Sequence, residues 1–195
     1  MHPALALFGL VGIGLLATAV GETVGGAGPA MGWEAFRALC AQWAKLWGLP
    51  EQVLMVVGMI ESSMRPGMTE NTDPRAVGRG GSWGLFGMTQ KTAADLLASH
   101  PPLAAQPAAA AWNGTGQSLH NAPLAAMLAS FHLATLWHKY GDILTTIVAY
   151  QQGAGNMDKA LARGGDLATA LDPKGREYLA HAQHALAQLV NRGAA

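Results

Sequence analysis

The apolar and polar positions divide the chain into three stretches. Residues 4–20 are apolar apart from Thr18, and no Lys, Arg, Asp or Glu occurs in 1–21. Residues 22–32 hold Gly25, Gly26, Gly28, Pro29 and Gly32, the composition of a flexible joint. From residue 33 onward the apolar positions recur at helical intervals. Trp33, Phe36, Leu39, Cys40, Trp43, Leu46 and Trp47 fall three and four apart, which predicts an amphipathic helix ended by Gly48. Pro50 opens a second helix at a position where a missing N–H does no harm. That helix is apolar from Val53 to Ile60 and should be the central buried element, ending near Ser63. Further helices are expected from Thr89 or Thr92 through Leu97, then over 123–140, 142–151, 156–163, 166–171 and 175–191. Residues 104–117, with Pro107, a run of alanines and Asn113-Gly114, read as a loop containing a short helical turn. Strand patterns are scarce and no internal repeat is visible. The expectation is a mainly α domain over 33–195, preceded by a hydrophobic segment (1–21) and a Gly-rich linker (22–32).

The hydrophobic segment admits three readings. As a helix, residues 4–20 would be roughly 26 Å long, a little under the ~30 Å hydrocarbon core. It is a retained membrane helix, a cleaved signal peptide with Ala17-Thr18-Ala19 as the small-residue cleavage site, or a helix buried in protein. The missing basic residues weigh against the signal peptide. Gly9, Gly12 and Gly14 suit close packing in lipid or protein. Membrane contact through residues 4–20 is the expectation.

Composition narrows the function. Half of the 195 residues are apolar and 12% are charged, which argues for an ordered core. The 12 basic and 12 acidic side chains cancel, so no bulk field favours nucleic acid and no direct recognition of it is expected. Cys40, the one cysteine, excludes an intramolecular disulfide and a cysteine-rich zinc site, and reads as a small buried hydrophobe. His181 and His184 have a spacing compatible with metal ligands, but no third ligand completes a set, and surface histidines are the simpler reading. His132 and His138 are read the same way, on the long helix. Gly78, Gly80 and Gly81 lack the Gly-Lys-Ser/Thr of a phosphate loop. Neither a cofactor nor a metal is expected.

Glu61 is the informative residue. It stands at the end of the most apolar helix of the domain, and its helical neighbours at i−3, i−4, i−7 and i−8 are Gly58, Val57, Leu54 and Val53. Partial desolvation and the negative end of the helix dipole both disfavour its anion. A carboxyl held protonated in this way is what a general acid needs. The purely structural alternative is a surface pair with Arg65, or a cap on a neighbouring helix.

Around Glu61 an ordered set of motifs resembles the lytic transglycosylases of the soluble-lytic-transglycosylase type. The set comprises Glu61-Ser62-Ser63, the run Ser82 to Met88 with Gly84-Leu85-Phe86, Thr92-Ala93, the run Ala149 to Gly155, and Arg176-Glu177-Tyr178-Leu179. The resemblance implies a lysozyme-like α fold that cuts peptidoglycan glycan strands. It implies that Glu61 protonates the β-1,4 bond between N-acetylmuramic acid and N-acetylglucosamine. The same group then takes a proton from the muramyl 6-hydroxyl as a 1,6-anhydro ring closes, which explains why one carboxylate suffices where hydrolytic glycosidases usually use two. Ser62, Gly84, Leu85, Phe86, Met88, Tyr150, Gln151 and Tyr178 fall at the family's substrate-binding positions. Among them Gly84, Leu85 and Phe86 match a wall of the sugar groove, and Tyr150 is the implied hydrogen-bond partner of the acid.

The chain also departs from the family pattern. Gly87 stands where the family has Gln, with Gln90 three residues on; Gln151 replaces an Asn; His132-Leu133 stands where Tyr-Leu is usual, and Asn121 is offset from the family's Asn. Glu70 and Asp73 supply a rival mechanism, in which a second carboxylate activates water and the enzyme is a hydrolytic muramidase. The altered Gly87 and Gln151 keep a third class open, a non-catalytic glycan-binding or structural protein. The expected location is the cell envelope, on the periplasmic side of the inner membrane, or a phage virion. Phage virion or envelope-machine proteins are the corresponding partners.

Overall fold

The computed structural model describes residues 29–67, 69–70 and 81–193. The hydrophobic segment 1–21, most of the linker and Asp73 lie outside the described residues. Among the described residues, no helix is long and apolar enough to cross a membrane.

The helices follow the periodicity closely. The first, α1 (Trp33–Trp47), turns its Phe36, Cys40, Trp43 and Ala44 inward and ends at Gly48, whose φ of 67° makes the left-handed cap. Cys40 is fully buried, and burial pushes its thiol far above the ordinary value. Next, α2 (Glu51–Ser62) is buried along Val53 to Gly58 and forms the centre of the core. The caps of α3 (Gln90–Ser99), α5 (Ala122–Tyr140), α6 (Ile143–Gln152) and α9 (Pro173–Asn191) are Thr89, Asn121, Asp142 and Asp172. Each of these side chains accepts from a backbone N–H three residues on, satisfying a donor that the first turn leaves orphaned. Asn121 is thus engaged as a cap. Short helices complete the set: α4 (Pro101–Ala104), α7 (Ala154–Ala162) and α8 (Leu167–Ala170). The segment expected to be a loop carries two 3-10 turns, Pro107–Ala111 and Gly116–His120.

One element has no counterpart in the sequence reading. A three-stranded antiparallel sheet, β1 (Thr69–Glu70), β2 (Ser82–Trp83) and β3 (Met88–Thr89), has two residues per strand. Strands this short carry no alternation from which a period could be read. The turn joining β2 to β3 meets the end of α2 at Glu61, and β3 leads directly into α3.

Candidate active site

Glu61 occupies the last turn of α2 and is half-buried. The chain leaves that helix through two consecutive left-handed residues, Ser63 (φ 49°) and Met64 (φ 63°). Neither is glycine, so each carries backbone strain of about 1–3 kcal/mol, held by its surroundings. Ser62 supplies part of the hold. Its hydroxyl is 3.0 Å from the Gly58 carbonyl and 2.8 Å from the Leu85 carbonyl, and it accepts from the Arg65 N–H. The end of α2 is thereby tied to the turn joining β2 to β3.

The acid is oriented by groups from distant parts of the chain. The Tyr178 hydroxyl, on α9, donates to Glu61 Oε1 at 2.5 Å. The other oxygen, Oε2, lies over Gly87. Gly87 has a φ of +58°, and a Cβ there would fall 2.3 Å from Oε2. Only glycine leaves that space open. The position that differs from the family's Gln is therefore the floor on which the carboxylate rests.

A cleft of about 300 Å³ opens beside this carboxyl, lined by Glu61, Ser82, Gly87, Met88, Thr89, Thr92, His132, Tyr150 and Gln151. Of the residues singled out in the sequence, Glu61, Met88, Tyr150 and Gln151 meet here. Ser62, Gly84, Leu85 and Phe86 do not line it. Leu85 and Phe86 are fully buried in the core, and Ser62 and Gly84 are buried as well. Gly84, Leu85 and Phe86 are corrected from sugar-facing wall to scaffold, and Ser62 from a substrate-binding position to hydrogen bonding beside the acid. The apolar side chains of Leu85 and Phe86 turn into the core, while their carbonyls accept from the Ser62 and Tyr150 hydroxyls. Gly84, at φ +73°, lets the turn pass against the Leu119 carbonyl, which a Cβ would strike.

Tyr150 also changes partner. Its hydroxyl donates to the Phe86 carbonyl at 2.9 Å, so Tyr178, rather than Tyr150, carries the described tyrosine hydrogen bond to the acid. Burial, with the Glu61 charge nearby, pushes the Tyr150 phenol well above its usual range, so it stays a neutral donor. Gln90, the displaced family glutamine, is occupied elsewhere: its amide donates to the Gly114 carbonyl and accepts from the Gly116 N–H. Glu70 is placed by its backbone alone, in β1 opposite Ser82. His181 and His184 are exposed on α9, with His184 against Gln188.

Ser82, Thr89, Thr92 and His132 line the cleft as well, although no local pattern in the sequence marks them as site residues. His132 stood at a position where the family has a different residue, and that difference was the available signal. Thr89 was legible as a cap, and its hydroxyl lies 2.8 Å from that of Thr92.

A half-buried carboxyl on a buried helix, buttressed by a phenol, thus opens on a polar cleft in a helical domain. The chain matches the Transglycosylase SLT domain family over residues 38–172, more than half of its length, and belongs to that family. It is thereby placed among the lytic transglycosylases of the lysozyme-like superfamily, whose substrate is peptidoglycan. No curated protein sequence matches it.

Proposed function

We propose that the protein is a peptidoglycan lytic transglycosylase in which Glu61 is the catalytic acid and base. Glu61 gives its proton to the oxygen linking N-acetylmuramic acid to N-acetylglucosamine, and the bond from that oxygen to the muramyl anomeric carbon breaks. The muramyl 6-hydroxyl oxygen then bonds to the anomeric carbon and returns its proton to Glu61. The product is a 1,6-anhydro sugar, no water is consumed, and the carboxyl ends protonated as it began. Tyr178 orients the acid through Oε1, and Oε2 lies over Gly87. Met88 and Gln151 contact the glycan, and Tyr150 holds the turn that carries Gly87.

The observation that carries this reading is that Glu61 is the one carboxylate among the described residues lining the cleft. Replacing Glu61 by Gln keeps its shape and removes the proton transfer, so release of muropeptides should fall by about 10²–10⁴. Zymography on purified peptidoglycan measures it, and equal activity of the two proteins would overturn the assignment. Hydrolysis is the second reading, favoured by the pairing of the Glu70 backbone with Ser82, a cleft residue. Mass spectrometry of the products separates the two: anhydro ends mean transglycosylase, reducing ends mean muramidase.

On the same reading residues 1–21 serve as a membrane anchor, 22–32 as a linker and 33–195 as the lytic domain, and the protein works at the cell envelope. A phage virion protein opening the wall during genome delivery and a component of a bacterial envelope machine are the two settings that suit this arrangement.

A further inference from the structure

His132 lies in the middle of α5 and lines the cleft beside Glu61. Its ring packs against that of Tyr150, with centroids 5.5 Å apart and planes inclined at 53°. The Tyr150 ring is itself fixed by its hydrogen bond to Phe86, so the imidazole has a rigid neighbour. Among the described lining residues, the titratable groups facing His132 are Glu61 from α2 and Tyr150 from α6. The sheet and α3 face it with Ser82, Thr89 and Thr92, which carry no charge. Burial lowers the His132 pKa from the ordinary histidine value of 6.5. At neutral pH the side chain is therefore an uncharged imidazole with one N–H donor and one acceptor nitrogen. A sugar hydroxyl both donates and accepts, and an acetamido group offers an N–H and a carbonyl, so either is a chemical match.

We propose that His132 binds the glycan in this cleft as a neutral imidazole, pairing with a saccharide hydroxyl or acetamido group beside Glu61, and that its protonation sets the acid limb of the pH profile. The inference rests on the proposed function of the cleft. Protonation removes the acceptor lone pair. It also brings a cation into the space shared with Glu61, which favours the carboxylate, the form that cannot protonate a leaving oxygen. Because burial depresses the imidazole, this loss sets in further into the acid range than for a free histidine.

The test uses the full chain. The ratio kcat/KM on purified peptidoglycan is measured from acid to neutral pH for the wild type, His132→Phe and His132→Gln, with circular dichroism melts as a check on folding. Binding of a soluble chitin tetrasaccharide is measured by calorimetry for Glu61→Gln and for the Glu61→Gln/His132→Phe and Glu61→Gln/His132→Gln double variants. His132→Phe should lower kcat/KM about tenfold, mainly through KM, and weaken tetrasaccharide binding to a similar degree, the loss expected for one hydrogen bond. His132→Gln, which keeps a neutral donor and acceptor, should bind nearly as the parent does and lose the acid limb. An unchanged acid limb in His132→Gln, or equal binding with and without the phenylalanine substitution, would overturn the proposal. Should His132→Phe fail to fold, the pH profile and binding of His132→Gln still decide. If the wild type releases nothing from peptidoglycan while the binding difference persists, the cleavage reading falls and the binding role of His132 stands. If the tetrasaccharide binds none of these proteins, the binding role of His132 falls, and release of muropeptides by the wild type alone decides the cleavage reading.

Discussion

At Gly87 two separate constraints act on one residue. The backbone is left-handed, which costs an L-residue about 1–2 kcal/mol. In addition, the space a side chain would take is filled by the carboxyl of Glu61, whose Cδ would lie 2.9 Å from an added Cβ. The first constraint bears on stability alone and the second on stability and the position of the acid together, so a comparison can separate them. Gly141, at φ +65° with open space around it, carries the first constraint alone. Gly141→Ala should lower the melting temperature and leave activity unchanged. Gly87→Ala should lower the melting temperature at least as much, because its Cβ also meets the Glu61 carboxyl, and reduce activity about 10²-fold, since a displacement of about 1 Å at a reacting group has that effect. Thermal melts and muropeptide release from the two variants check this, and a Gly87→Ala protein within twofold of wild type would show that the acid does not depend on that floor. The legibility of the site follows the same physics. Glu61 could be found because one helical period relates it to Gly58, Val57, Leu54 and Val53, all local in sequence. Tyr178 could be placed near the site only by resemblance, because its bond to the acid spans 117 residues and no local pattern reports it. Leu85 and Phe86 were misplaced because a motif does not say whether a residue serves through its side chain or its carbonyl.

At the scale of elements, the site depends on the register between α6 and α9, which carry Tyr150 and Tyr178. One clasp fixes that register. Asp172 Oδ1 accepts from the Gln152 amide and from the Gly175 N–H, both at 2.7 Å. Gly175 leaves room for the amide, since a Cβ there would stand 2.1 Å from Gln152 Nε2. Asp172→Ala removes a helix cap and the clasp together and should cost about 1–2 kcal/mol, whereas Gln152→Ala removes the clasp alone and should cost less than 1 kcal/mol. A double-mutant cycle read by denaturant unfolding should give a coupling of about 0.5 kcal/mol, because both substitutions delete the same contact. Strict additivity would show that the clasp contributes nothing and that Asp172 acts only as a cap. The helices were legible because each has a long apolar stripe and a capping side chain. The clasp was not, because Gln152 and Asp172 lie on different elements and become neighbours only once those elements pack.

At the scale of the molecule, the two ends of the described domain meet. Trp33 opens α1, and the Arg192 guanidinium lies 4.6 Å from its ring centroid, just past the end of α9. A cation over an indole at the surface is worth about 0.5–1 kcal/mol. Immediately before α1, the Met31 N–H donates to the Met64 carbonyl at 2.7 Å, in the left-handed turn that follows Glu61. The linker thus joins the domain at the strained end of α2, and the point at which it is cut matters. Removing residues 1–21 leaves Met31 and Gly32 in place. If that segment is the membrane anchor, the truncated protein should leave the vesicle fraction in a flotation assay and retain full activity on purified peptidoglycan. Removing residues 1–32 also deletes the Met31 bond and the Gly32 carbonyl that accepts from the Phe36 N–H. That shorter protein should melt several degrees lower, because two hydrogen bonds at about 1 kcal/mol each hold the turn and the first helical turn. It should lose activity as well, since the Ser63-Met64 turn is then held from one side only. Unchanged partition into vesicles after the first deletion would rule out residues 1–21 as the anchor, and equal activity of the two truncations would show that the acid is positioned independently of the linker.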